Sequence, residues 1–209
     1  MNLSKNSHKK NEQGGGNDES AIAVAVDHSA LFELQPSLST PSMPILHFPS
    51  LGILRLDYKY PAIPGDIDCQ ETFTDYPVYY RVVPGLTFEM CQSGRLTSEV
   101  ERDFDQAVKY LVEEKNVSAI TGDCGFMMWF QERARQLTRK PVLLSPLTQL
   151  PSITSAFDRS VQILIVSANA KTLYPMHDLI VQECGVDPFD NRFVIIGCED
   201  VPHFGEPVC

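Results

Sequence analysis

The apolar positions of the chain follow two alternating rhythms. Runs of strand length occur at 51–57 (LGILRLD), 77–83 (PVYYRVV), 117–122 (VSAITG) and 141–145 (PVLLS). Between them the apolar residues recur at helical spacing. From Thr97 to Lys115, residues Val100, Phe104, Val108, Leu111 and Val112 share one face, and Ser98 with Glu101 forms a capping signature at its start. Residues 126–137 read as a second helix, with Arg133, Arg135 and Arg139 towards the end where the dipole favours cations. After Pro151 the rhythm restarts with a strand at 161–169 (VQILIVSAN). A helix opens near Pro175 and stops at Cys184-Gly185, and a strand follows at 192–197 (RFVIIG). Strands separated by helix-length segments predict parallel sheets covered by helices.

Residues 1–49 break this pattern. They open polar, carry Gly14-Gly15-Gly16 and end rich in proline, which predicts a disordered or weakly ordered tail. The rest divides into a first α/β domain over 50–150 and a partial second one over 151–209.

Composition narrows the functional classes. With 17 basic against 27 acidic residues the net charge is −10, and no basic cluster appears. Nucleic acid and anionic membrane surfaces are poor partners for such a chain. No apolar run reaches the ~20 residues of a membrane helix. The polar N-terminus lacks the apolar core of a secretory signal, so a soluble intracellular protein with reduced thiols is expected. The six cysteines (Cys69, Cys91, Cys124, Cys184, Cys198, Cys209) form no CxxC pair. Cys198 and His203 are close enough to share a metal, but nothing nearby completes a ligand set, so no metal is expected. Phosphate-binding and dinucleotide-binding glycine motifs are absent, as is a serine nucleophile elbow.

The chemistry concentrates in TGDCGFMMWF, residues 121–130. Most free cysteines are small buried hydrophobes. Cys124, however, falls at a strand end just before a helix, where sheets of this kind bind ligands and where free amides favour a thiolate. Those amides, from Gly125 onward, can also hold a carboxylate. A base beside a carboxylate clamp is suited to removing the proton on the adjacent carbon. Asp123 reads as a helix cap, or else as a group that tunes the thiol. His177, on a helix, reads as a surface or packing residue. Asp57 and Tyr58 follow the first strand at the same sheet edge, and Ser167 and Asn169 close the 161–169 strand. All four are candidate pocket residues.

Taken together, GILRLDYKYPAIPGDID, YYRVVPGLTFEMCQSG, ITGDCGFMMWFQ, RKPVLLSPLTQLP and ECGVDPFDNRFVIIGCEDVP resemble the aspartate/glutamate racemase superfamily. The resemblance is closest to the algal dimethylsulfoniopropionate lyases and covers about residues 50–209. It implies two Rossmann-like parallel-sheet domains related by pseudo-symmetry, the second incomplete here, each giving one cysteine to a shared site. It implies a cofactor-independent lyase acting on a small carboxylate, with Cys124 as base and Gly125 at the carboxylate. Tyr58 and Tyr80 would face the sulfonium through cation–π contact. An amino-acid or hydantoin racemase and a non-catalytic, partner-binding paralogue are the alternatives. If the halves correspond, the second cysteine should fall roughly 72 residues after the strand near Gln162, beyond Cys209. Against that pattern the chain looks C-terminally truncated. The missing part should leave apolar sheet uncovered and favour a homo-oligomer. Cys198 is the weaker thiol, since Glu199 and Asp200 beside it disfavour a thiolate.

Overall fold

The computed structural model describes residues 48–59 and 61–202. The expected tail, except Phe48 and Pro49, lies outside the described residues, as do His203 and Cys209.

Four parallel strands form the first sheet: β1 (Leu51–Arg55), β2 (Val78–Val82), β3 (Ala119–Gly122) and β4 (Val142–Leu143), in the order β2-β1-β3-β4. Leu51 of β1 lies opposite Val78 on one side and Ala119 on the other. Such a central strand is covered on both faces, so Gly52, Ile53 and Leu54 are all buried and the run is continuously apolar. The strand order reverses between β1 and β3. That reversal is the switch point at which doubly wound sheets open a crevice for ligands.

Helix boundaries follow local chemistry. A short helix that the sequence pattern does not predict, α1 (Phe88–Ser93), starts where Thr87 Oγ1 accepts from the Met90 amide at 3.3 Å. It ends at Gly94, whose φ of 67° lies in the left-handed region that glycine enters freely. Helix α2 (Ser98–Lys109) is capped by Thr97, one residue before the expected Ser98: Thr97 Oγ1 accepts from the Val100 amide at 3.2 Å. A π turn at Tyr110–Glu114 extends it. Its expected apolar face is buried at Val100, Phe104, Val108 and Leu111. The segment expected as a helix over 126–137 is divided. A 3₁₀ segment at Gly125–Phe130 precedes α3 (Gln131–Leu137). Phe126, Met127, Met128 and Phe130 are all buried. The segment is apolar all round because it runs through the core rather than along its surface.

A second parallel pair follows, β5 (Ile163–Ser167) and β6 (Phe193–Gly197), with Ile163 opposite Phe193. Helix α4 (Leu150–Ala156) precedes it. Helices α5 (Ala170–Leu173) and α6 (His177–Cys184) connect its strands. The connection turns helical at Ala170, five residues before the expected start at Pro175, because Asn169 Oδ1 accepts from the Lys171 and Thr172 amides. Gly185, with φ of 62°, ends α6 where expected. The mixed α/β class with parallel sheets is as expected. On β5, Ile163 and Ile165 are buried while Leu164 and Val166 are exposed, as are Val194 and Ile196 on β6.

The turn after β3 depends on Gly122. A Cβ built there would collide with Met127 Sδ and approach the Leu144 carbonyl oxygen to 3.0 Å. Gly122→Ala is expected to lower stability by about 1–3 kcal/mol, through overpacking against a rigid backbone. Urea denaturation checks this, and an unchanged midpoint would contradict the packing.

Candidate active site

Cys124 stands where β3 has ended and the 3₁₀ segment begins, with extended backbone (φ −124°, ψ 125°). Its residue exposure is 7%. Beside it opens a cavity of about 440 Å³. One wall comes from the ends of β1 and β3 with Leu56, Tyr58, Cys124 and Gly125. A second comes from the segment after β4, with Ser145 and Leu147, and a third from β5, with Leu164, Val166 and Ser167. Among the described residues no lysine, arginine or histidine lines this space. A bound carboxylate would rely on amides and hydroxyls.

The sulfur is held in a specific polar setting. The Cys91 side chain and the amides of Phe126 and Met127 act on its thiol, the Met127 amide itself donating to the Cys124 carbonyl at 2.9 Å. The Cys91 contact, followed by these amides, holds the Cys124 thiol below its ordinary range against the opposing effects of burial and Asp123. Cys91 is shifted the opposite way, upward, first by the same contact and then by burial. Cys184 offers a contrast: burial pushes its thiol up to about 11, and its Sγ–H donates to the Leu147 carbonyl at 3.2 Å.

Asp123 neither caps the following helix nor accepts from its amides. Its Oδ2 accepts from the Leu56 amide at 2.9 Å, and its own amide donates to the Leu54 carbonyl at 3.1 Å. It thus latches the end of β3 to the end of β1, across the switch point. Behind it Arg55 pairs with the buried Asp68 at 2.9 Å, and the guanidinium lies 5.6 Å from the Tyr80 ring centroid. Burial raises the Asp123 carboxyl to about 7, against the Leu56 hydrogen bond that lowers it.

The structure brings only some of the predicted site residues to the cavity. Cys124, Gly125, Tyr58 and Ser167 line it. Asp57 is exposed and its Oδ2 accepts from the Gly85 amide at 2.8 Å. The Tyr80 hydroxyl donates to the Ile67 carbonyl at 3.1 Å, while its ring faces Arg55 rather than the cavity. Asn169 is the α5 cap and lies outside the lining. Two residues escaped sequence reasoning. Ser145, 3% exposed, lines the cavity while its Oγ accepts from the Leu147 amide at 3.2 Å. Cys91 is wholly buried on α1, and the Thr87…Gly94 cap-and-stop pair was the signal for that helix. Cys198 follows β6 and lies outside the cavity lining, its amide donating to the Ser167 carbonyl at 2.9 Å. His177 lies between Asp178 and Asp187 on the surface. No cluster of three metal-ligating side chains occurs among the described residues.

Fold and site together define a parallel-sheet α/β protein with a buried thiol at the switch-point cavity. Comparison with known proteins makes the class specific. The chain is 51% identical over 172 residues to dimethylsulfoniopropionate lyase 3 of Emiliania huxleyi strain CCMP1516, covering 82% of this chain and 44% of that protein. It is 48% identical over 170 residues to the dimethylsulfoniopropionate lyase of Durusdinium sp. clade D, covering 79% and 56%. Dimethylsulfoniopropionate lyase 5 of the same Emiliania strain is 39% identical over 159 residues, covering 75% and 31%. The chain is thus similar, over most of its own length, to proteins named dimethylsulfoniopropionate lyase. The chain spans about half the length of the curated relatives it matches. It matches no family model.

The Asp123 carboxyl yields a pH prediction. Its folded pKa of about 7 lies above the ordinary aspartate value of 3.8, so the folded chain binds the proton more tightly than the unfolded one. Stability should therefore fall as pH rises from about 4 to about 7, by an amount on the order of a few kcal/mol. Asp123→Asn should flatten that fall. Urea midpoints of both proteins between pH 4 and 8 check it. Parallel curves would remove Asp123 as the cause.

Proposed function

We propose that this protein cleaves dimethylsulfoniopropionate to dimethyl sulfide and acrylate, with the Cys124 thiolate as base. The observation that carries the reading is the place of Cys124 at the edge of a mostly apolar cavity, with its thiol held below its ordinary range. The thiolate takes the proton from the carbon next to the substrate carboxylate, forming an S–H bond. The freed electron pair becomes the Cα–Cβ double bond. The Cβ–S bond breaks towards sulfur, so neutral dimethyl sulfide leaves and acrylate remains. An apolar cavity suits this step, because the charge on the thiolate is then stabilised by fixed donors rather than diluted in water. The Gly125 amide is the lining group suited to the carboxylate, and Tyr58 to the sulfonium. Identity of 48–51% to proteins named for this reaction supports the choice of substrate. The racemase-type pseudo-symmetry fits the pairing of β5 with β6, which repeats the five-residue parallel register of β1 with β2.

Headspace measurement of dimethyl sulfide should show release by the wild type and a loss of at least about a hundredfold in Cys124→Ala, the scale of a positioned proton transfer. Acrylate should slow alkylation of Cys124. Undiminished release by the alanine variant would remove the mechanism.

A second reading is favoured by the uncovered face of the second sheet. Leu164, Val166, Val194 and Ile196 form an apolar patch on a parallel pair, an architecture otherwise covered on both faces. We propose that a second copy of the chain covers it. Sedimentation should then give a dimer that Val166→Lys converts to monomer. A wild-type chain that stays monomeric would end this reading.

A further inference from the structure

In the lyase reading the cavity holds a small carboxylate, yet no lysine, arginine or histidine among the described residues lines it. Neutral donors must then supply the hydrogen bonds that a desolvated carboxylate needs. Two serines line the space, Ser145 and Ser167, and their hydroxyls differ in what they still have to give. The Ser167 hydroxyl donates to the Asn169 carbonyl at 3.1 Å and accepts from the Asn169 amide at 3.3 Å. Its one proton is taken. The Ser145 Oγ accepts from the Leu147 amide at 3.2 Å, and its proton meets no acceptor among the described residues. A hydroxyl always has one proton to donate, so a donor is left over at a buried cavity residue.

The backbone that carries Ser145 is held on both sides. Buried Gln131 of α3 donates through Nε2 to the Val142 carbonyl at 2.6 Å, and its Oε1 accepts from the Leu144 amide at 2.8 Å. The Ser145 carbonyl accepts from the Thr148 amide at 3.1 Å and from the Thr148 hydroxyl at 2.7 Å. Ser145 is thereby fixed in extended backbone (φ −139°, ψ 144°), just before the 3₁₀ turn Pro146–Gln149. This segment runs directly beside the one that carries Cys124. A Cβ on Gly122 would come within 3.0 Å of the Leu144 carbonyl oxygen, and one on Gly125 would lie 3.9 Å from Pro146 Cδ. The two close approaches bracket Cys124 on one segment and Ser145 on the other, and both residues line the cavity.

We infer that Ser145 is a substrate-binding residue whose Oγ–H is donated to the substrate carboxylate, beside the Gly125 amide. With one lone pair committed to the Leu147 amide, the hydroxyl is held in place before substrate arrives, which lowers the cost of binding. A hydrogen bond to an ionised acceptor is also stronger than one between neutral groups. A role limited to capping would use the acceptor and leave the donor idle. The inference rests on the carboxylate substrate of the lyase reading, but its test reads binding rather than turnover.

Isothermal titration calorimetry of the full chain compares two ligands. One is 3-(trimethylammonio)propanoate; the other is propyltrimethylammonium, in which a methyl group replaces the carboxylate. The wild type should bind the carboxylate ligand more tightly. In Ser145→Ala the Kd of that ligand should rise at least about tenfold, while that of propyltrimethylammonium changes less than about twofold. Ser145→Thr, which keeps the hydroxyl, should recover most of the lost affinity. If Ser145 only starts the 3₁₀ turn, Ser145→Ala will melt at a lower temperature with its preference between the ligands unchanged, and the inference is overturned. A wild type without a preference overturns it too, as does a threonine variant that binds like the alanine one. Should Ser145→Ala fail to fold, Ser145→Gly takes its place, because glycine is accepted ahead of a helical turn and likewise lacks the hydroxyl. Dimethyl sulfide release by a chain that shows no Ser145-dependent preference overturns this inference and leaves the lyase reading standing. Absence of release beside such a preference overturns the lyase reading alone.

Discussion

Everything at the site depends on how closely two pieces of backbone approach where β3 ends. At Gly122 the Leu144 carbonyl and the Met127 side chain leave room for a hydrogen and nothing larger. That approach lets the chain turn inward at Asp123 and Cys124 and run on through the core as the 3₁₀ segment. A side chain at 122 would push the turn outward and carry Cys124 away from both its amides and Cys91. Packing here does more than stabilise, because it determines which polar groups can reach the sulfur.

Charge at the site is governed by burial and by a short chain of partners. Asp123 is fixed by the Leu56 amide, with the Arg55–Asp68 pair behind it. Because burial holds its carboxyl near neutrality, Asp123 is protonated on the acid side of pH 7 and then adds no negative charge beside the thiol. Ionised, it works against the thiolate. A carboxyl adjacent to a cysteine reads in the sequence as a cap or an activator. In the structure it is a strand latch whose charge opposes a thiolate at Cys124.

Most of the fold was legible because its strands and its longest helix carry strong periodic signals. All six strands fall within the expected runs, trimmed by a few residues, and α2 buries the expected face. What escaped has identifiable causes. Helix α1 is six residues long, too short for a periodic pattern, and follows a Pro84-Gly85 turn that reads only as a strand stop. Thr97 and Ser98 are both good caps, and only geometry separates them. In the site, the rule that ligands sit at strand ends found Cys124 because β3 ends in a glycine turn. The same rule also proposed Asp57 and Asn169, and the resemblance added Tyr80. A sequence position identifies a sheet edge but not the hydrogen bond that a side chain finally makes, and these three are engaged with the Gly85 amide, the Ile67 carbonyl and the α5 amides. Cys91 stayed hidden because its partner lies 33 residues away and its own helix went unseen.

The turns after β3 and β5 use their free amides in opposite ways. After β3, the amides of Phe126 and Met127 serve a sulfur at the edge of a cavity. After β5, the Ala170 amide is taken by the Glu199 carboxylate at 3.1 Å, and the Lys171 and Thr172 amides are taken by Asn169. Glu199 folds back so tightly that a Cβ on Gly197 would collide with it. The chain's own carboxylate therefore acts as an internal ligand, permanently occupying the place where a free carboxylate would otherwise compete. The turn after β5 is closed to small anions by occupancy.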